Sequence, residues 1–312
     1  MNKFFDIDKP VSINEPLHLA LGMFDGVHEG HSKVIQTAIG EAKKLKGKSA
    51  VLTFWPHPSK ILSPSASVPL MLDLNAKTQR LDSQGLDYTF LKTFTSEFST
   101  MSAEEFLPYL KTKLPTLSAL YVGENFAFGK GRSGNLESLT ASGKKIGIKV
   151  IGLKRKEYLG KAISSTRIRE AIVKGKIKEA NSMLGFKYFA KGTVVKGKQL
   201  GRTIGFPTLN IKWTSEISIL RGVYMVLVSD EESTASIQGI ANFGSRPTLN
   251  ENTPEELLEV HTLETPPWTT GHILKVEFCE FIREEQIFAS IDLLKEQIET
   301  DKAKAIRLFT QL

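Results

Sequence analysis

The first half of the chain alternates short apolar runs with longer amphipathic segments. The apolar runs have the length and residue types of buried strands. They are LHLALGMF (17–24), SAVLTFW (49–55), DYTFLKTF (87–94), SALYVG (118–123) and IKVIGLK (148–154). The segments between them are helical in pattern, beginning with a helix from about Glu29 to Leu45. This alternation predicts a parallel β-sheet with covering helices, an α/β fold that binds ligands at the carboxyl ends of its strands.

The pattern changes near residue 185. Imperfectly alternating strand-like segments follow, joined by loops rich in Gly, Pro, Asn and Thr, and they are 189–197, 222–229, 236–244 and 272–282. These segments predict an antiparallel sheet or barrel, and a final helix is predicted over about residues 290–308. We place the domain boundary after the helical segment 168–185, which gives domains of residues 1–185 and 186–312.

Composition narrows the class of protein. A length of 312 residues suits two domains. There are 41 Lys and Arg against 34 Asp and Glu, a net charge of +7, which suits phosphate-bearing partners. The basic clusters, such as Lys154 to Lys156, are short, and we find no nucleic-acid motif, so we expect no nucleic-acid partner. The single cysteine, Cys279, excludes an internal disulfide and a cysteine-based zinc site.

The sequence also bears on where in the cell the protein is located. Residues 1–16 are mixed and polar, without the pattern of a secretory signal. No stretch approaches the roughly 20 apolar residues that a membrane-spanning helix needs. We therefore expect a soluble, cytoplasmic protein that does not bind membranes.

The segment GMFDGVHEGH (22–31) places two histidines between the first predicted strand and the first predicted helix. A helix N-terminus presents free N–H groups and a partial positive charge, and Gly26 and Gly30 permit close approach of a ligand. His28 and His31 could then stabilise phosphate charge in a transition state. The alternative is a pair of histidines in a surface loop at a helix start, whereas a zinc site lacks a third ligand of matching spacing.

This segment resembles the H-x-G-H motif of the nucleotidyltransferase superfamily, and SSTRIRE (164–170) resembles that superfamily's second phosphate motif. With TFWPHP (53–58) and YVGENFAFGKGRSGN (121–135), the set resembles the adenylyltransferase half of bacterial FAD synthetases. The resemblance implies a Rossmann-like nucleotidyltransferase sheet in which His28 and His31 act on the ATP triphosphate. It also assigns the glycine-rich GKGRSG (129–134) to a flavin- or nucleotide-binding loop instead of a dinucleotide fingerprint.

The resemblance further implies two groups of ligand-binding residues in this half. The implied nucleotide-binding residues are Gly22, Phe24, Gly26, Gly30, Asn125, Ser164, Ser165, Thr166 and Arg167. The implied flavin-binding residues are His57, Phe126, Phe128 and Arg132.

The segment GKQLGRTIGFPTLNI (197–211) places Thr208 and Asn210 two residues apart, on one face of an extended chain. Their hard oxygen atoms suit Mg²⁺, although a Thr and an Asn on a strand beside a turn are common in any β protein. Glu259 could accept a proton from a hydroxyl that attacks a phosphate, although a strand-face carboxylate is the simpler interpretation of this residue alone.

With GVYMV (222–226), NFGSRPT (242–248) and FIREEQIF (281–288), this motif resembles riboflavin kinases. The resemblance implies a six-stranded Greek-key barrel with a terminal helix. The same resemblance implies that Thr208 and Asn210 hold Mg-ATP and that Glu259 is the general base. The remaining implied residues are Gly201, Arg202, Gly205 and Pro207 for the nucleotide and Arg283 for the flavin.

Together the resemblances imply an enzyme of FAD biosynthesis that uses ATP, riboflavin, FMN and Mg²⁺. It would phosphorylate riboflavin in the second domain and adenylylate FMN in the first. Met23, Asn125 and the loop 262–271 depart from the family pattern. An enzyme with one active half therefore stays open, as does a flavin- or nucleotide-binding regulator without turnover. Self-association of the chain also stays open.

Overall fold

The computed structural model describes residues 3–197, 200–230, 235–246 and 255–311. Internal contacts divide the chain into two compact units, Met1–Ser165 and Thr166–Leu312. In the part of the chain that is described, no helix combines the length and apolar character that crossing a membrane requires.

The first unit is built on a six-stranded parallel sheet. Its strands are β1 (Lys3–Asp6), β2 (Leu17–Leu21), β3 (Lys48–Trp55), β4 (Tyr88–Thr93), β5 (Leu117–Gly123) and β6 (Lys149–Leu153). The order across the sheet is β1-β4-β3-β2-β5-β6, and every pairing is parallel. All five residues of β2 are buried because both faces of the sheet are covered, and four of the five are apolar.

Helices cover this sheet on both faces. They are α1 (Glu29–Lys44), α2 (Pro58–Leu62), α3 (Leu74–Asp82), α4 (Ala103–Lys113) and α5 (Leu136–Lys145), and a hairpin of β7 (Glu157–Tyr158) and β8 (Lys161–Ala162) follows. Alternate residues of β2 belong to different hydrophobic cores. Leu19 and Leu21 belong to the core that includes residues of α4, whereas Ala20 packs with Ile35 and Ala38 of α1. The parallel α/β architecture predicted from the sequence is confirmed.

The second unit is a closed antiparallel barrel. Its strands are β9 (Phe189–Val195), β10 (Leu209–Lys212), β11 (Gly222–Asp230), β12 (Ile237–Arg246), β13 (Glu255–Thr262) and β14 (Ile273–Glu284), in the order β10-β13-β12-β11-β14-β9. The short helix α8 (Leu200–Thr203) precedes β10, and α9 (Ile291–Phe309) ends the chain. This six-stranded barrel with a terminal helix confirms the predicted fold of the second half.

Two helices occupy the segment predicted as one helical region over 168–185. They are α6 (Ser165–Val173) and α7 (Ile177–Leu184). The chain breaks between them at Gly175, whose φ of +68° is in the left-handed region that favours glycine. In the second unit α7 packs on the barrel, where Asn181 Nδ2 donates to the carbonyl of Phe278 at 2.8 Å and Asn181 Oδ1 accepts from Tyr188 N at 2.8 Å. The domain boundary after residue 185 stays a prediction, and the contact division falls before α7.

Candidate active sites

The first site is built on a strained turn at the carboxyl end of β2. Three residues in the turn have positive φ angles: Phe24 at 48°, Gly26 at 77° and Val27 at 39°. A β-branched residue such as Val27 rarely adopts this conformation, and each such residue costs on the order of 1–3 kcal/mol. The turn persists because its surroundings hold it, and it ends at His28, the N-cap of α1.

The two histidines of the turn and helix start lie against each other. The His28 and His31 rings stack with centroids 3.6 Å apart and planes 14° apart, and the edge of Phe24 meets His31 at 5.3 Å. The Nδ1 atom of His28 accepts a hydrogen bond from the backbone N–H of His31 at 3.3 Å. His28 is thereby fixed as the helix cap, and the stacked pair forms one rigid wall.

His31 carries an unmet polar atom. Its Nδ1 is buried and has no hydrogen-bond partner among the described residues. Burial lowers the pKa of His31 well below its usual value of 6.5, and the charges of His28 and Lys77 lower it further. His31 is therefore neutral at pH 7, and its buried nitrogen without a partner is an unusual feature of a folded protein.

A cavity of about 310 Å³ opens beside this wall. Predicted residues that line it are Gly22, Phe24, Gly30, His28, His31, Asn125, Phe126, Arg132, Ser164 and Ser165. The structure thus gathers segments separated by more than a hundred positions in the chain at the carboxyl edge of the sheet.

Three basic residues that follow β6, Lys154, Arg155 and Lys156, also line this cavity. Lys156 pairs with Glu29 of α1, and Lys33 donates to the carbonyl of Lys154 at 2.8 Å. The sequence shows this cluster only as a short basic run, and its position after a strand end is the signal that could have placed it in the site. Its positive charge favours a polyphosphate ligand.

Several predicted residues lie elsewhere. Phe128 is buried, stacked on Phe126 with centroids 5.6 Å apart, and supports the cavity wall from behind. Gly26 is buried within the turn. His57 caps α2, and its Nδ1 lies 2.8 Å from Ser59 Oγ and accepts from Ser59 N at 3.2 Å.

The SSTR motif is divided between the two units. Ser165 Oγ donates to the carbonyl of Asp25 at 3.3 Å in the first unit. Thr166 and Arg167 belong to the second unit, where Arg167 pairs with Glu179 of α7 at 3.4 Å.

The second site is a row of polar side chains across three strands of the barrel. Asn210 on β10 lies opposite Glu259 on β13, and Glu259 lies opposite Asn242 on β12. Residues directly opposite in antiparallel strands project from the same face. Asn210, Glu259 and Asn242 line a cavity of about 440 Å³ together with Thr208. The structure therefore brings the predicted metal-binding pair and the predicted base into one cavity.

The turn before β10 is held by its own contacts. Phe206 N donates to the Gly201 carbonyl at 2.7 Å, and the His261 Nδ1 atom lies 2.9 Å from the Pro207 carbonyl oxygen. Gly201 and Phe206 line the cavity, whereas Gly205 and Pro207 do not. The side chain of Arg202 lies outside the part of the structure that is described.

Arg283 lines the same cavity, but Asp301 of α9 holds its guanidinium group. Arg283 Nε donates to both Asp301 oxygens at 3.0 and 2.9 Å, and its Nη2 lies 2.8 Å from Asp301 Oδ2. Gln297 donates to Asp301 at 2.9 Å. This bidentate pair ties α9 to β14, and neither Asp301 nor Gln297 was singled out from the sequence. A flavin contact by Arg283 stays a prediction.

One parallel α/β unit and one β-barrel each present a cavity lined by polar side chains, an arrangement that suits a two-domain transferase. Residues 11–167 match the FAD synthetase family and residues 184–309 match the riboflavin kinase family. The chain belongs to the family of bifunctional riboflavin kinase/FMN adenylyltransferases.

Its relatives cover nearly the whole chain. The bifunctional riboflavin kinase/FMN adenylyltransferase of Escherichia coli is 34% identical over 93% of this chain and 92% of its own. The protein of the same name from Bacillus subtilis is 35% identical over 97% and 99%. A crystal structure of a Streptococcus pneumoniae protein, described as a macrolide-efflux protein, is 28% identical, covers 96% of each chain and has a TM-score of 0.85. The likeness to this structure supports the fold.

Proposed function

We propose that the chain makes FMN from riboflavin in its second unit and FAD from FMN in its first, consuming one ATP in each step. The observation that carries this proposal is that each unit has its own cavity, lined by side chains that suit one of the two reactions. One holds the stacked histidines beside basic residues, and the other holds the Asn210, Glu259 and Asn242 row.

In the second unit, Glu259 accepts the proton of the terminal riboflavin hydroxyl as its oxygen attacks the γ-phosphorus of ATP. The bond to the β-phosphate oxygen breaks, and ADP leaves. Phosphoryl transfer depends mainly on positioning and charge neutralisation, so a carboxylate held in line contributes as a general base. The cross-strand register fixes Glu259 between Asn210 and Asn242.

The donors in this cavity fit Mg²⁺. Thr208 and Asn210 offer neutral oxygen atoms, and the described residues contain no group of three or more His, Cys, Asp or Glu that could hold a metal alone. Mg²⁺ is commonly held by a few protein oxygens together with substrate phosphates, which this pair allows. When bound, the ion would neutralise charge on the phosphates.

In the first unit, an FMN phosphate oxygen attacks the α-phosphorus of ATP and pyrophosphate leaves, with no covalent enzyme intermediate. His31 lines the cavity and is neutral, so its ring can hydrogen-bond the triphosphate. Ser164 and Ser165 line the cavity, and their hydroxyl groups can hydrogen-bond phosphate oxygens. Thr166 and Arg167 stay predicted ligands of the pyrophosphate.

The departures from the family pattern are compatible with this reaction. Met23 and Asn125 both line the first cavity. The Asn125 amide oxygen can accept hydrogen bonds from a ribose or base, as a carboxylate would. We therefore favour two active halves over one. The proposed substrates are small molecules, and because ATP is supplied in the cytoplasm, we place the reactions there.

Product analysis tests the proposal. Purified protein with Mg-ATP is supplied with riboflavin or FMN separately, and flavins and pyrophosphate are followed by chromatography. We expect riboflavin to yield FMN and then FAD, and FMN to yield FAD with pyrophosphate. If one of the two products does not form, the activity proposed for that unit is wrong. Flavin binding without release of ADP or pyrophosphate would identify a regulator.

Two substitutions separate the sites. Glu259→Gln should lower FMN formation by about 10²–10⁴-fold, and His31→Gln should lower FAD formation by about 10²–10³-fold, each sparing the other reaction. The exposed Glu264→Gln and His272→Gln serve as matched controls. Equal damage to both reactions by either substitution would contradict the two-site assignment.

A further inference from the structure

Lys77 on α3 is a buried cation that neither reaction site uses directly. Its side chain is 3% exposed, and its Nζ donates to the carbonyl of Phe54 at 3.3 Å. Burial lowers its pKa to about 8, and the charge of Asp25 opposes that change. Lysine is rarely buried unless it is paired, so this position calls for a reason.

Asp25 supplies that reason. It is also buried, at 5% exposure, and lies inside the strained turn between Phe24 and Val27. Its Oδ1 accepts a hydrogen bond from Met71 N at 3.1 Å. A buried carboxylate needs a countercharge, and Lys77 lines the same small cavity as Asp25.

Met71 and Lys77 belong to one short stretch of chain that lies beside Asp25. The segment 69–72 runs directly into α3, whose N-cap Asp73 accepts from Ala76 N at 2.7 Å. One short segment thus supplies both a backbone donor and a positive charge to the turn. The cavity that Lys77 and Asp25 share has a volume of about 10 Å³, which is too small for a substrate.

We propose that Lys77 is a positioning residue for adenylyl transfer: with Met71 it clamps Asp25, holds the strained turn, and so sets His28 and His31 for the triphosphate. The inference rests on the proposed FMN adenylyltransferase activity of the first unit. A displacement of about 1 Å in such a site can cost about 10²-fold in rate. The positive charge of Lys77 also reaches His31, where it lowers the pKa.

The test compares Lys77→Met with Lys111→Met in the full chain. Lys111 is a matched control because it also donates from a helix to a strand carbonyl, that of Leu117 at 2.9 Å, away from the site. We expect Lys77→Met to lower kcat for FAD formation by about 10- to 100-fold and to leave riboflavin phosphorylation unchanged. Lys111→Met should change neither activity.

Two readouts distinguish positioning from a merely structural role. The His31 pKa, followed by NMR titration of the ring signals, should rise in Lys77→Met because a nearby positive charge is gone. Asp25→Asn combined with Lys77→Met should recover part of the lost kcat, because the amide oxygen still accepts from Met71 and the buried charges of Asp25 and Lys77 are removed together. This double variant carries the test if Lys77→Met does not fold.

The outcomes distinguish a failure of this inference from a failure of the proposed FMN adenylyltransferase activity. Wild-type protein that makes no FAD from FMN removes the proposed adenylyltransferase itself. If the wild-type protein makes FAD, three results would each overturn the role of Lys77. They are an activity of Lys77→Met within about twofold of the wild type, an unchanged His31 pKa, and strictly additive losses in the double variant.

Discussion

At the scale of single residues, His18 on β2 is a titratable group outside both sites. It is buried, its Nδ1 lies 2.8 Å from the hydroxyl of Tyr121 on β5, and the two rings stack with centroids 5.9 Å apart. Burial lowers the pKa of His18, while the charge of Glu41 opposes the change. The folded chain therefore holds His18 neutral at pH values where the unfolded chain begins to protonate it.

This difference predicts a pH dependence of stability. The unfolded state takes up the His18 proton near pH 6.5 and the folded state takes it up only at lower pH. The free energy of unfolding should thus fall as the pH drops below about 6.5, and His31, whose pKa is also lowered, adds to the fall. His18→Gln, which keeps an acceptor for Tyr121, should flatten this dependence in urea unfolding between pH 5 and 8. An unchanged slope beside that of an exposed His272→Gln control would contradict the assignment.

Lys77 and Asp301 show why some site residues escape sequence analysis. Lys77 lies in a polar helix, and nothing local distinguishes it from a solvated lysine. The carboxylate that acts on its pKa, Asp25, lies in a turn 52 positions earlier. Asp301 pairs with Arg283 across 18 positions. By contrast, His28, His31, Thr208 and Asn210 lie within short motifs, so their chemistry is visible along the chain.

At the scale of elements, strands with strong apolar patterns were predicted, whereas β1, β10 and the eight-residue β13 were not located from the sequence. The buried strands β2 and β3 carry apolar residues on both faces because helices cover both faces of the sheet. The four-residue β1 and β10 are too short to show a period, and β10 gains its partners β9 and β13 only through barrel closure. Tertiary pairing, which the local sequence does not carry, defines these elements.

The segment that follows β9 passes close to β10, and this contact leads to a prediction about the kinase site. A Cβ at Gly197 would overlap the side chain of Asn210. Gly197→Ala should therefore displace Asn210, lower kcat/KM for riboflavin phosphorylation by about tenfold or more, and spare FAD formation from FMN. Gly40→Ala is the matched control, since Gly40 lies within α1 and a Cβ there meets nothing within 4 Å. Normal kinase activity in Gly197→Ala would show that Asn210 does not act in that site.

At the scale of the whole molecule, the contact division and the motifs do not coincide. The division falls between Ser165 and Thr166, inside the SSTR motif, whereas the predicted domain boundary follows residue 185. The segment between them forms α6 and α7, and α7 buries Ile177, Ala180, Met183 and Leu184 within the second unit. Residues 166–185 thus contain predicted adenylylation residues and also complete the packing of the barrel unit.

Overlapping fragments test this dual use. Fragment 1–185 holds every predicted adenylylation residue and should convert FMN to FAD, while fragment 166–312 should convert riboflavin to FMN. Fragment 186–312 lacks α7, so Tyr188 N and the Phe278 carbonyl lose their Asn181 partner. Each unmet buried group costs about 1–3 kcal/mol, so this fragment should melt at a lower temperature than 166–312 and expose apolar surface to a hydrophobic dye. Equal melting temperatures for the two fragments would instead support a domain that begins at residue 186.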